Sequence, residues 1–342
     1  MKPPREHRPL GLAASCLSLL LLASFVAAVA FGSTPVSLAE LLAALGGEPL
    51  ADYKAGIIRS LRLPRALLAA GTGAVLAVCG AFLQGLFRNP LADPSLIGVT
   101  AGASVGASLA IFFGSASLGL WGGLSLISLG AFIGGLLTVW LVYRVATTVN
   151  GTSVATMLLM GIAATSLAMS FIGLLEFFAD NEMLRRMSLW RMGALDAANY
   201  TRAAIILVVL AALLSAMPAL SRALNTLQLG ESQARHLGID VERAKLRIIL
   251  LVAAGVGLSV ALAGSIAFVG LVIPHMVRLW VGPDHRRLLP LSALGGASLL
   301  LLADTLARVA VAPAELPVGL VTAMVGAPFF ILLLCQRRGE LR

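Results

Sequence analysis

The groups in this 342-residue chain that could carry chemistry are four histidines, three cysteines, three lysines and sixteen carboxylates. His275 and His285 lie ten residues apart, and imidazole is a ligand for haem iron. His236 sits in a polar stretch and His7 in the N-terminal tail. Cys16, Cys79 and Cys335 fall in or at the end of apolar runs, with no CxxC or Cys/His spacing. They therefore predict packing residues rather than a disulfide framework or a zinc site, and no metal centre is expected. Lys2, Lys54 and Lys245 follow no Gly-rich turn, so no phosphate loop of the Walker kind is present. HExxH, GxSxG and paired-carboxylate arrangements are missing as well, which leaves no candidate catalytic residue. Acidic groups deep inside an apolar run would suggest an ion relay. Glu176, Asp304 and Glu315 instead fall near predicted outer ends, although Asp304 keeps such a relay open.

The elements that must position these groups are set by composition. Hydrophobic residues make up 59% and charged residues 12% of the chain, and the mean hydropathy is +0.95. A soluble domain carries about twice that charged fraction. Apolar runs of about 20 residues recur, each long enough to cross a hydrocarbon core about 30 Å thick. They predict an all-α, polytopic membrane protein with ten spans, near 10–31, 64–86, 95–113, 120–146, 152–175, 200–217, 246–264, 267–281, 289–309 and 317–335. The eighth is short and should meet its neighbours inside the protein. The alternating ten-residue pattern of an outer-membrane barrel is missing. Lys2, Arg5 and Arg8 before the first run imitate a secretory leader, but a run of about 22 residues is longer than a leader's core, so an uncleaved first span is expected.

Ten spans put both termini on one side, and charge chooses which. The N-terminus, 87–94, 147–151, 218–247, 282–288 and the C-terminus, with adjoining residues, carry 16 Lys/Arg and 7 Asp/Glu. The opposite connections carry 9 of each. That bias places the first set, and both termini, in the cytoplasm. The net charge of +9 thus serves topology; 22 of 25 basic residues are Arg, scattered without a run, and no nucleic-acid partner is implied. Gly98, Gly102 and Gly106 recur every four residues, as do Gly130 and Gly134, a spacing that lets helices approach closely in lipid. No internal repeat appears, so residues 1–342 read as one transmembrane domain.

One stretch does not belong in lipid. Residues 218–239 form a polar break on the cytoplasmic side, punctuated by Pro218 and Gly230. A helix can start at Glu231, whose charge suits a helix N-terminus, and Gly238 can end it. Leu224, Leu227, Ala234 and Leu237 would give apolar faces to two short helices, and Asp240 can cap the next element. Charges of both signs on a compact unit suit insertion into a protein groove better than adhesion to lipid. Energy is therefore expected from a partner rather than from this chain.

The ordered motifs point further. They are Arg62-Leu63-Pro64-Arg65; Gln84 with Asn89-Pro90-Leu91-Ala92-Asp93-Pro94; Leu229-Gly230-Glu231 through Leu237-Gly238; Gly270-Leu271-Val272-Ile273-Pro274-His275; Asp284-His285-Arg286; Ala314-Glu315-Leu316-Pro317-Val318-Gly319; and Gly326-Ala327-Pro328-Phe329. Together they resemble the permeases of the bacterial ABC importer family for iron-siderophore, haem and cobalamin uptake, the type II importers. The resemblance implies a homodimer of ten-span subunits in the inner membrane, with two cytoplasmic ABC ATPase subunits that bind ATP and magnesium and grip 218–239. Within that segment the coupling residues would be Leu229, Gly230, Glu231, Ala234, Arg235, Leu237 and Gly238. A periplasmic binding protein would dock through carboxylates on Arg62, Arg65 and Arg308, because a guanidinium grips a carboxylate through two parallel hydrogen bonds. Gln84, Asn89 and His275 are candidate pathway or gate residues.

Similar histidines occur across family members with non-haem cargo, so a structural His275 and a solvated His285 are expected. Ala179-Asp180-Asn181-Glu182-Met183-Leu184-Arg185-Arg186, with Leu189-Trp190 and Gly193, resembles the outer connection of haem permeases, although Arg191-Met192 departs from that pattern. Haem is thus the expected cargo, with ferric siderophore and cobalamin as alternatives. An ion-coupled carrier, which would show inverted repeats, is the competing class.

Overall fold

In a bilayer every backbone N–H and C=O must be satisfied within its own segment, so uninterrupted apolar runs become helices. The computed structural model describes residues 10–32, 34, 36–37, 40, 52–114, 125–149 and 151–340, with the side chains of 52, 333–334 and 336–340 left aside. The basic cluster Lys2, Arg5 and Arg8, His7, and the first residues of the run at 120–146 lie outside the described residues.

Among the described residues, twelve α-helices of six or more residues carry the architecture: α1 (Leu10–Ala30), α2 (Leu63–Leu86), α3 (Val99–Phe113), α4 (Leu126–Ala146), α5 (Val154–Phe178), α6 (Asn181–Arg191), α7 (Tyr200–Leu227), α8 (Glu231–His236), α9 (Val241–Ala263), α10 (Val269–Val281), α11 (His285–Val309) and α12 (Val318–Glu340). A π-helical turn, Ile57–Arg62, leads into α2. Seven helical stretches are long and apolar enough to cross a membrane, and α3, α10 and Val318–Leu332 of α12 are shorter apolar helices. Together they match the ten predicted spans. The described residues hold one hairpin, β1 (Thr147–Thr148) against β2 (Gly151–Thr152).

Capping residues fix several helix starts. Ser125, Ser153, Asp180, Asn199, Asp240 and Asp284 each accept a hydrogen bond from the first turn of α4, α5, α6, α7, α9 and α11. Each satisfies a backbone N–H that has no partner inside its helix.

Helix α2 is the centre of the bundle. In its stretch 89% of the most apolar window is buried, against 22% for α5. Small residues permit this. A methyl on Gly73 would overlap the Gly296 carbonyl of α11, and one on Gly80 would overlap the Gly270 carbonyl of α10. The predicted four-residue glycine pattern closes the α3–α4 crossing in the same way: Gly102 faces Gly134 and Gly106 faces Gly130, backbone against backbone. Helices in lipid associate through such packing because no hydrophobic force drives them together.

Two expectations need correction. Pro218 does not end the sixth span; α7 runs through it to Leu227, so the first short helix of the polar break is the end of a 28-residue helix. A proline removes one backbone bond, which neighbouring contacts in a packed membrane helix replace. His285 is not solvated in a loop. It is the first residue of α11 and only 1% exposed, because Asp284 caps that helix and the ring folds back against Gly85.

Candidate functional site

The polar residues collect at the two ends of the bundle and in one cavity between them. At the end that the charge bias assigns to the cytoplasm, the inner end, α8 lies against the ends of α7 and α9. Ala234 is fully buried, while Leu229 (65% exposed) and Leu237 (54% exposed) stand out on either side of it. Ser232, Gln233, Arg235 and His236 are exposed between them. Gly230 and Gly238 take φ values of 111° and 79°, a region that favours glycine, so the sequence can turn sharply into α8 and out of it.

A single buried lysine holds this unit in place. Lys245 Nζ lies 2.8 Å from Glu231, 3.1 Å from Glu242 and 2.8 Å from the Thr152 carbonyl. Glu242 in turn accepts the Thr152 N–H at 2.9 Å and approaches Arg235 at 3.5 Å. Helix α8, α9 and the β hairpin are thereby joined at one cation, a role that the sequence did not reveal. On the other flank, Gln228 donates to the Pro283 carbonyl, and Asn225 Nδ2 donates to Asp284 at 2.6 Å. Burial pushes the Asp284 carboxyl up, but the Arg286 N–H and Asn225 outweigh it and hold it below the usual carboxylate range.

At the opposite end, assigned to the outer side by the same bias, the three predicted docking arginines are largely buried. Arg62, 6% exposed, donates to the Val29 and Ala30 carbonyls at 2.9 and 2.8 Å, and to that of Thr34. Arg308, 7% exposed, donates to the Ala28 and Phe31 carbonyls at 2.7 and 3.1 Å. Together they satisfy the carbonyl end of α1, where a cation is favourable. Asp304 is almost wholly buried, 2.9 Å from Arg65 and 3.1 Å from Arg308, and Arg65 also reaches Glu315 at 2.8 Å. A carboxylate clamped between two guanidinium groups binds the helices that carry them together. These arginines brace the α1–α2–α11 corner rather than project from it.

Between the ends, a cavity of about 420 Å³ opens along α3 and α5, lined by Ser95, Thr100, Ser104, Thr165, Ser166 and Arg191 among others. The hydroxyls of Ser104, Thr165 and Ser166 bond back to their own helices at 2.9, 2.8 and 3.1 Å, which leaves a weakly polar wall. Arg191 at the end of α6 pairs with Glu176 at the end of α5, 2.9 Å apart, at the outer side of this wall. Of the predicted pathway residues, none lines this cavity. Gln84 (1% exposed) donates to the Leu271 carbonyl between α2 and α10, Asn89 accepts the Leu91 N–H in a turn, and His275 is 4% exposed within α10. The missed signal was a set of hydroxyls inside apolar runs, Thr100 and Ser104 on α3 and Thr165 and Ser166 on α5.

Comparison with known proteins agrees with this architecture. Residues 20–336 match the FecCD transport family. The chain is 45% identical over 285 residues to the hemin transport system permease protein HmuU of Yersinia pestis, covering 82% of this chain and 84% of that one. It is 44% identical over 285 residues to a cobalamin import system permease protein BtuC of Halobacterium salinarum, covering 82% and 74%. It is 40% identical over 325 residues to a vitamin B12 import system permease protein BtuC of Shigella boydii, covering 94% of each. A solved inward-facing metal-chelate type ABC transporter superposes with a TM-score of 0.84 at 33% identity, over 95% of this chain and 99% of that one.

Proposed function

The chain belongs to the FecCD transport family and is a multi-pass membrane permease of a bacterial ABC importer, and from that premise we propose that its cargo is haem. The likeness to a hemin permease supports this, as does the resemblance of residues 179–186, with Leu189-Trp190 and Gly193, to the outer connection of haem permeases. The cobalamin relatives stand close behind. A weakly polar wall along α3 and α5 suits a large, flat, mostly apolar cargo that must enter and leave without being held. The cavity on one subunit would be half of a path completed by a second copy across a two-fold axis.

The observation that carries the mechanism is the α8 unit, exposed on one face and tethered on the other by Lys245. Two cytoplasmic ATPase subunits would seat Leu229 and Leu237 in grooves of their own, and hydrolysis would occur on them. Closure of the pair would move α8, and through Lys245 the base of α9 and the hairpin, so that nucleotide favours one of two conformations. A periplasmic binding protein would deliver cargo at the outer face of an inner-membrane transporter with cytoplasmic termini. Arg62, Arg65 and Arg308 would brace that face, whether or not a carboxylate of the binding protein reaches them. Reconstitution with the partner ATPase and binding protein tests the whole. Haem uptake should depend on ATP, and Leu229→Asp with Leu237→Asp should abolish capture of the ATPase while the permease stays folded. Uptake of cobalamin or a ferric siderophore in place of haem would replace the cargo, and undiminished capture by the double variant would defeat the docking assignment.

A further inference from the structure

A second cavity, of about 240 Å³, lies beside the docking unit at the inner end, walled by Gln84, Gly85, Arg88, Gln228, Arg278 and His285 among others. Transport as described gives it no task, yet its polar groups are unusually unsatisfied. Arg278, near the end of α10, has Nε and Nη2 buried without a hydrogen-bond partner. A desolvated cation without a partner is costly, and native structures rarely keep one idle. His285 Nε2 is buried and unpartnered too, while Nδ1 is held between Asn225 and Gln228 at 2.9 and 3.0 Å. The space before Nε2 exists because residue 85 is glycine; a methyl there would come within 2.5 Å of it. Arg88 adds a second guanidinium to the wall from a backbone held at φ 50°, which non-glycine residues seldom adopt. The neighbouring carboxylate, Asp284, is already committed to Asn225 and the Arg286 N–H.

Two guanidinium groups thus converge, with two unpartnered acceptors, Gln84 Oε1 and His285 Nε2, beside them; Nε2 accepts because Nδ1 donates to the Asn225 amide oxygen. We propose that this cavity binds a phosphate group, gripped by Arg278 and Arg88, with Gln84 and His285 accepting from hydroxyl groups of the same ligand. Arginine suits a tetrahedral oxyanion because its fork matches two oxygens at once. Inorganic phosphate carries the required hydroxyls itself, and phosphatidylglycerol carries them on its headgroup. The setting admits the lipid: Leu279 and Trp280, exposed on the last turn of α10, lie next to Arg278, and basic pockets between helices at the cytoplasmic boundary take anionic headgroups.

The test reads thermal unfolding of the full-length chain in neutral detergent. It is titrated with inorganic phosphate, and separately in mixed micelles with phosphatidylglycerol against phosphatidylcholine. A saturable rise in unfolding temperature with either phosphate-bearing probe, and none with phosphatidylcholine beyond its solvent effect, supports the site. A response to lipid alone assigns the source to the headgroup, and a response to inorganic phosphate assigns it to the free anion. Arg278→Gln should weaken that response at least tenfold while leaving the unliganded chain as stable as before or more so, since an idle buried cation is removed. Gly85→Ala, which fills the space before His285, should weaken it similarly. No saturable response in the wild-type chain, or an equal response in Arg278→Gln, overturns the proposal. So does loss of ATPase capture by Arg278→Gln without phosphate binding, which would make the cavity a seat for an acidic side chain of that partner.

Discussion

The two ends of the bundle use the same kinds of charged residue in opposite ways. At the outer end Arg62, Arg308 and Asp304 are almost fully buried, and their hydrogen bonds go to neighbouring helices. At the inner end one cation, Lys245, is buried, while Arg235, His236 and Gln233 stay exposed around it. Burial turns charge into a structural bond, whereas exposure leaves it available to a partner. The outer corner is therefore tied into the spans, whereas the inner unit keeps polar side chains exposed while Lys245 links it to the spans.

Removing the outer carboxylate should have the largest effect. Asp304→Ala leaves Arg65 and Arg308 facing each other in the protein interior without their shared carboxylate. Breaking a buried ion pair from one side costs about 3–5 kcal/mol. The expected outcome is loss of folded chain from the membrane, read by thermal unfolding in detergent. Replacing Asp304, Arg65 and Arg308 together by leucine should recover much of that loss. A stable Asp304→Ala chain would show that the outer corner does not depend on its charges.

The inner end should respond in activity more than in stability. Lys245→Met removes charged hydrogen bonds to Glu231 and Glu242, whose carboxylates are partly exposed and can retreat to water, and one to the buried Thr152 carbonyl, which loses its partner. The loss should be about 1–3 kcal/mol, and the spans should still fold. ATP hydrolysis by the assembled transporter should continue while uptake falls at least tenfold. Equal loss of hydrolysis and uptake would mean that Lys245 serves assembly rather than force transfer.

The same contrast explains how much could be read from the sequence. Spans, crossing glycines and the polar break at α8 follow from composition and spacing, which are local properties. The partners of Arg62 were not legible, because the Val29 and Ala30 carbonyls lie 33 and 32 residues away along the chain. A basic residue at a span end reads as surface charge until the neighbouring helix end is known to lie against it. The anchoring contacts of Lys245 were hidden for the same reason, since Thr152 is 93 residues distant. Pro218 looked like a break because propensity was weighed without packing. The hydroxyls of α3 and α5 were visible in Thr100, Ser104, Thr165 and Ser166, and went unused because serine in an apolar helix usually bonds to its own backbone.

A smaller effect is expected from the turns that bound α8. Gly230→Val places a branched side chain at φ 111°, a conformation that costs about 1–3 kcal/mol for a residue with a Cβ. The strain should reorient α8 without disturbing the spans. The ratio of cargo moved to ATP hydrolysed should fall several-fold at unchanged permease abundance. Gly238→Val, at φ 79° with open space around it, should do the same more weakly. If both variants keep the wild-type ratio, the orientation of α8 is not what couples the two activities.

The Glu176–Arg191 pair is the weakest of these contacts and the one that most sharpens the comparison, because it is an outer-end ion pair that has not been buried. Its side chains are about a third exposed, at 32% and 33%, so the attraction is largely screened and is worth about 0.5 kcal/mol. That is too little to hold the bundle together, but it is enough to bias two conformations that differ by a similar amount. Arg191 also lines the central cavity, so the pair can act where α5 and α6 meet that space. Glu176→Gln should therefore leave the unfolding temperature unchanged and alter basal ATP hydrolysis by the assembled complex about twofold. The double exchange Glu176→Arg with Arg191→Glu should restore the original rate. A fall in unfolding temperature like that expected for Asp304→Ala would show that the pair is structural after all, and that the outer end has no adjustable contact.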